Sequence, residues 1–186
     1  MKALWIEKPI HYDGTQLRSL YNYLEHGLLG PSVIAFRGSC DVSFTHMVDG
    51  EDLLQKAEIR GSDMLHFIFE VFDEKLITGV FLQRLFASTV QSKVLQMTQG
   101  KIALLRKGDD LYFQNKKLSI SIATKSPQSL LVHFAMNITN EATPVETCAL
   151  DDFQIDPTEF AKELLKDFSE EYMDIQTATW KVRPVD

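Results

Sequence analysis

Residues 109–138 read DDLYFQNKKLSISIATKSPQSLLVHFAMNI, and this stretch decides the fold class. Side chains alternate across a β-strand, so a period of two reveals its faces. In KLSISIA that period puts Leu118, Ile120 and Ile122 on one side. Lys117, Ser119, Ser121 and Ala123 fall on the other. In LLVHFAMNI it groups Leu130, Val132, Phe134, Met136 and Ile138, opposite Leu131, His133, Ala135 and Asn137. The pattern is that of consecutive antiparallel strands, each with one apolar face. The other face is small and polar, with a lysine and a histidine on it. A face that is only wet is the ordinary alternative. Wet faces carry long charged side chains, whereas Ser, Ala and Asn dominate here. Small residues let a ligand approach the backbone and polar ones orient it. The expectation is a ligand-binding floor built from both strands.

Outward from this unit the chain alternates helical and strand patterns. Residues 3–6 are strand-like, and residues 13–27 carry Leu17, Leu20, Tyr21 and Leu24 at helical spacing before Gly27. GPSVIAFRG is a strand with Val33, Ala35 and Arg37 on one face, and CDVSF continues it after a break at Gly38 and Ser39. EDLLQKAEI fits either a short helix or an irregular segment. DMLHFIFEVFD is a strand with Met64, His66, Ile68 and Glu70 on one face. Residues 75–100 form the longest helix, with a buried stripe expected at Leu76, Val80, Phe81, Leu85, Val90, Val94 and Leu95. IALLRKG is strand-like, and residues 139–156 are an irregular connection. A last helix starts at Asp156-Pro157, with Asp as the cap and Pro in the first turn. The pattern predicts one α+β domain over residues 1–186, a mainly antiparallel sheet flanked by helices.

Composition narrows the function classes. The 186 residues suffice for a full core, and 45% hydrophobic content is ordinary for a globular chain. No window approaches the ~18 consecutive apolar residues of a membrane span, and the start lacks a signal-type apolar core. A net charge of −7 argues against a large nucleic-acid footprint. Two cysteines, Cys40 and Cys148, suit neither a disulfide framework nor a zinc site, so a reducing cytoplasm is expected.

Three constellations carry chemistry. Lys117 opens a strand directly after a turn at residues 114–116, where it can meet a carboxylate or phosphate. A solvated hairpin lysine is the bland alternative. Asp109 and Asp110 are adjacent. Either alone could hold Mg²⁺ with substrate phosphates as further ligands, and a Gly108-Asp109 turn is the alternative. Arg37 and Gly38 at a strand end could hold an anion. Among the histidines, His66 and His133 lie on faces that could line one cleft. GxxxxGK[ST], HExxH and GxSxG are all absent.

DDLYFQNKKLSISI resembles the central motif of the biotin-protein ligases: Asn-Asp-Leu-Tyr, a short turn, then Lys-Leu and a strand. Asp109 stands at the first position, Ile120 at a usual Gly, and AMNI at residues 135–138 matches the end of the next strand through Asn137. Lipoate-protein ligases carry a similar lysine strand. Over the whole chain, FRGSCDV, SDMLHFIFEVFD, KLSISIATKSP and KVRPV resemble the domain of unknown function 366 family. The resemblance implies the fold shared by class II aminoacyl-tRNA synthetase catalytic domains and biotin ligases. It implies that Lys117 contacts substrate carboxylate and the phosphate of an acyl-adenylate, with ATP and Mg²⁺ as cofactors. Arg37 and Gly38 would help hold phosphate, and Ser119, Ser121, His133, Asn137 and His66 would shape the pocket. The function expected is activation or transfer of a small carboxylate or acyl group, with a homodimer compatible. The alternatives are a non-catalytic binding protein on the same scaffold and an acyltransferase that uses no ATP.

Overall fold

The computed structural model describes residues 1–73 and 75–185. The chain runs β1 (Lys2–Ile6), α1 (Tyr21–His26), β2 (Ser32–Val42), α2 (Gly50–Gln55), β3 (Ile59–Val71) and α3 (Leu76–Met97). It continues through β4 (Leu105–Lys107), β5 (Asp110–Phe113), β6 (Lys116–Lys117), β7 (Ser119–Lys125), β8 (Leu130–Asn137) and α4 (Pro157–Trp180). A five-stranded sheet has the order β1-β2-β3-β8-β7, and a small sheet the order β4-β5-β6. Among the pairs of these strands in the described residues, β1 with β2 is parallel and the others are antiparallel. This is the α+β class that the alternation predicts.

Alternation along β2 and β3 gives the large sheet two apolar faces. Val33, Ala35, Leu65, Phe67, Phe69 and Val71 face α3 and α4. Ile34, Phe36, Met64 and Ile68 join Tyr12 and Tyr21 in a second cluster. Phe86 of α3 centres the first, its ring 4.8 Å from Phe69 and 5.1 Å from both Phe134 and Phe168. Such edge-to-face pairs add about 0.5–1.5 kcal/mol each beyond the burial of area. The α4 start is as read from sequence: the Asp156 carboxylate accepts the Glu159 N–H at 2.8 Å, satisfying a donor that the helix leaves open.

Three expectations need correction. The helix expected over residues 13–27 contains only Tyr21–His26. Leu20 is left-handed at φ 61°, and its N–H donates to the buried Glu70 carboxylate at 2.6 Å, which holds the preceding chain in turns. The buried stripe of α3 is Leu82, Phe86, Ala87, Val90 and Val94, while Leu76, Phe81 and Leu95 are exposed. That helix has apolar residues all round, so sheet packing selects the face. The break after Arg37 is a bulge within one strand, since register shifts between Gly38 and Cys40. The undecided segment after Asp49 is helix α2, capped by the Asp49 side chain.

Candidate functional site

A cavity of about 430 Å³ opens against β7 and β8, closed in by the β5–β6 hairpin, α2 and residues 143–147. Lys117, Asp110, Ser119, Ser121, His133 and Asn137 all line it. Tyr12, Met64, Ile120 and Ile122 supply apolar lining.

The lysine is held at both ends. Gln114 and Asn115 take φ values of 50° and 68°, the conformation of a tight two-residue hairpin turn. That turn returns the chain so that Lys117 pairs with Tyr112. The Lys117 N–H donates to the Glu146 carbonyl at 3.2 Å, and its carbonyl accepts from Cys148 N–H at 3.1 Å. Asn137 Nδ2 donates to the Lys117 carbonyl at 3.3 Å and to the Cys148 carbonyl at 3.2 Å. Lys117 Nζ lies 2.9 Å from Asp110 Oδ2, which also accepts from the Tyr112 hydroxyl at 3.2 Å. Asp110 therefore orients the lysine. Among the described residues no three His, Cys, Asp or Glu side chains gather as a metal site. A magnesium ion at Asp110 would take its other ligands from phosphates or water, as Mg²⁺ commonly does.

The expected common floor is corrected by the strand register. Ile120 opposes Ala135 and Ile122 opposes His133, whereas Ser119 opposes Met136 and Ser121 opposes Phe134. Residues directly opposed in an antiparallel pair share a face. The serines therefore share the face of Phe134 and Met136, which belong to the α3-side core. Ser119 Oγ accepts the buried Leu111 N–H at 3.0 Å. Ser121 Oγ accepts from Gln83 Nε2 at 2.8 Å, and the same nitrogen donates to Asp109 Oδ2 at 2.8 Å. Both serines still touch the cavity at the β7 edge of the sheet. Nor does Lys117 share a strand with them, because the chain changes sheets at the buried Leu118.

Arg37 and Gly38 lie outside the cavity lining. The Arg37 guanidinium grips the Asp63 carboxylate, with Nε donating to Oδ1 at 2.8 Å. A Cβ on Gly38 would sit 1.8 Å from the Ile10 carbonyl oxygen. The glycine is needed because the 10–12 segment crosses there: Ile10 N–H donates to the Arg37 carbonyl and Tyr12 N–H to that of Ser39.

His66 also lies off the lining, directly behind His133. Its Nε2 is 3.1 Å from the Gly38 carbonyl and its Nδ1 is 3.0 Å from His133 Nε2. Tyr12 stacks on His133 with centroids 3.7 Å apart and planes 11° apart. Burial lowers the His66 pKa to about 4, and burial with the His66 charge keeps that of His133 well below the usual value. Both rings are neutral at pH 7.

The cavity is acidic. Asp49, Glu51, Asp52, Glu58, Asp109 and Asp110 outnumber Arg60 and Lys117 in its lining. Burial raises the pKa of Asp52 and of Asp109, though Arg84 stands 3.3 Å from the latter. Tyr12, Gln83 and the α2 carboxylates escape sequence reasoning. Only the acidic run at residues 49–52 hints at them, since their approach is long-range.

The domain of unknown function family designated DUF366 matches residues 1–183. An uncharacterized protein of Methanocaldococcus jannaschii is 27% identical over 191 residues, covering 100% of this chain and 86% of that one. The solved structure of a protein of unknown function from Pyrococcus horikoshi superposes with a TM-score of 0.94 at 39% identity, covering 100% of both chains. A biotin protein ligase from Aquifex aeolicus, in complex with biotin and ATP, has a TM-score of 0.58 at 17% identity, covering 91% of this chain and 69% of that one. A T. acidophilum protein with bound lipoic acid has a TM-score of 0.56 at 14% identity, covering 93% of this chain and 86% of that one. The last two establish likeness of fold alone. The chain has the biotin/lipoate ligase-like fold and belongs to the domain of unknown function 366 family.

Proposed function

We propose that the cavity binds a small carboxylic acid at Lys117 and that the protein activates or transfers its acyl group. The carrying observation is the lysine itself: backbone fixed on both sides, ammonium held at the cavity by Asp110 at 2.9 Å. An incoming carboxylate competes with Asp110 for that ammonium, and the Ile120, Ile122 and Met64 surfaces accept the apolar remainder. In the acyl-adenylate version, a carboxylate oxygen attacks the α-phosphorus of ATP. A new P–O bond forms and pyrophosphate leaves. Lys117 neutralises charge developing on the phosphoryl oxygens. The acidic lining repels a bare triphosphate, so the nucleotide enters as its Mg²⁺ complex. The biotin, ATP and lipoic acid bound to proteins of like fold support this reading. Pyrophosphate release from ATP–Mg²⁺ across a panel of biotin, lipoate, fatty acids and amino acids tests it. Release with one acid, lost in Lys117→Ala, is the expected result. No release with any of them contradicts the ATP-dependent chemistry.

A non-catalytic binding protein is the second reading. Arg37 favours it, since that guanidinium is committed to Asp63 and lies off the cavity lining. Ligand binding without turnover distinguishes it.

A further inference from the structure

We infer that His133 is a specificity-determining residue of this cavity, presenting a fixed Nδ1 lone pair that selects ligands bearing an N–H or O–H donor. The inference rests on the preceding reading of the cavity and adds a second recognition point to Lys117. It follows from the order of two hydrogen bonds. The Gly38 carbonyl can only accept, so His66 Nε2, at 3.1 Å, carries the proton. In a neutral imidazole the other nitrogen is then an acceptor. His66 Nδ1 therefore accepts from His133 Nε2 at 3.0 Å, and that nitrogen carries the second proton. The chain of bonds leaves His133 Nδ1 as a bare acceptor.

Nothing among the described residues donates to that atom. Among the described residues the sealed side-chain atoms lacking partners are Trp5 Nε1, Asn22 Oδ1 and His26 Nε2. His133 Nδ1 is not one of them, so although the residue is only 3% exposed this atom is not fully sealed, and the residue lines the cavity. Stacking on Tyr12 and the edge-to-edge hydrogen bond with His66, whose plane is 19° away, fix the ring plane. Burial keeps both imidazoles neutral, so the tautomers persist at pH 7.

His133 and Asn137 stand four residues apart along β8, their Cα atoms roughly 13 Å apart at ~3.3 Å per residue, and Asn137 holds the Lys117 carbonyl, so His133 and Lys117 occupy separate points of one cavity lining. A ligand that satisfies both ends is an acid with a donor several carbons from its carboxylate. A plain fatty acid leaves the Nδ1 lone pair without a donor.

The probes are 6-acetamidohexanoate and its N-methyl derivative, which lacks the amide N–H. The protein is labelled with ¹⁵N-histidine. The expected spectrum shows His133 protonated at Nε2 with a bare Nδ1, and the first probe shifts the Nδ1 resonance. The first probe binds about three- to tenfold more tightly than the second, the span of one net hydrogen bond. In His133→Leu the two probes bind alike. A proton on His133 Nδ1, or equal affinity of the two probes for the wild-type protein, overturns the inference. The tautomer measurement uses the wild-type protein and stands whether or not the variant folds. If Lys117→Ala binds both probes as wild type does, the carboxylate reading fails separately from the donor preference. No binding of either probe overturns both.

Discussion

Acidification should unlock the histidine pair behind the cavity. His66 is fully buried, and its pKa of about 4 lies below the ordinary value of 6.5. Between those values the unfolded chain binds a proton that the folded chain refuses. Stability from this group is therefore fully present above pH 6.5 and is lost as pH falls toward 4. From pH 7.5 down to about 4.5 the loss amounts to roughly 2–3 kcal/mol at 1.36 kcal/mol per pKa unit. Carboxylates elsewhere also titrate there, so the assay is a difference. Urea unfolding is measured at both pH values for wild type and His66→Phe. Phenylalanine keeps a ring where His66 stacks against Phe36 at 4.9 Å, while removing the acceptor of the His133 Nε2–H. It leaves the Gly38 carbonyl without its donor, so the variant starts less stable. Its decline over the window should nevertheless be smaller by about 2–3 kcal/mol. Equal declines within a few tenths would mean that folding does not depress the His66 pKa.

Other substitutions separate structural from ligand roles. Gly38→Ala forces a Cβ to within 1.8 Å of the Ile10 carbonyl and should cost about 3 kcal/mol, the upper end for overpacking, read as a lowered urea midpoint. Ser119→Ala strands the buried Leu111 N–H and should cost about 1–3 kcal/mol, again read as a lowered urea midpoint. Asp110→Asn removes the charge that competes for Lys117. The half-exposed pair contributes at most about 1 kcal/mol to stability, so melting should barely move while affinity for 6-acetamidohexanoate rises.

How much was legible follows from what alternation encodes. The period of two sorts each strand into faces, and β2 and β3 bury the residues it indicates. It does not say which face of β7 meets which face of β8. That depends on the connection at residues 126–129, where Ser126 and Ser129 lock a turn by mutual hydrogen bonds. The serines of β7 consequently moved to the core side, and Ile120 and Ile122 took their place beside His133. Lys117, Asp110, His133 and Asn137 were legible because one contiguous block brings them together. Gly38 was visible as an unusual residue but misread, since only the folded chain shows the crossing at Ile10. The acidic lining from α2 comes from about sixty residues upstream of Lys117, a separation that local patterns do not carry.

Thermal melting of wild type and Lys117→Ala tests the central claim most directly, with ATP–Mg²⁺ and small carboxylates added singly and together. A ligand of the folded state adds about 2.7 kcal/mol of stability at a hundredfold excess over its Kd. Wild type should show a carboxylate-dependent rise in Tm that Lys117→Ala loses. The same rise in both proteins would place the ligand away from Lys117 and refute its role as the carboxylate anchor.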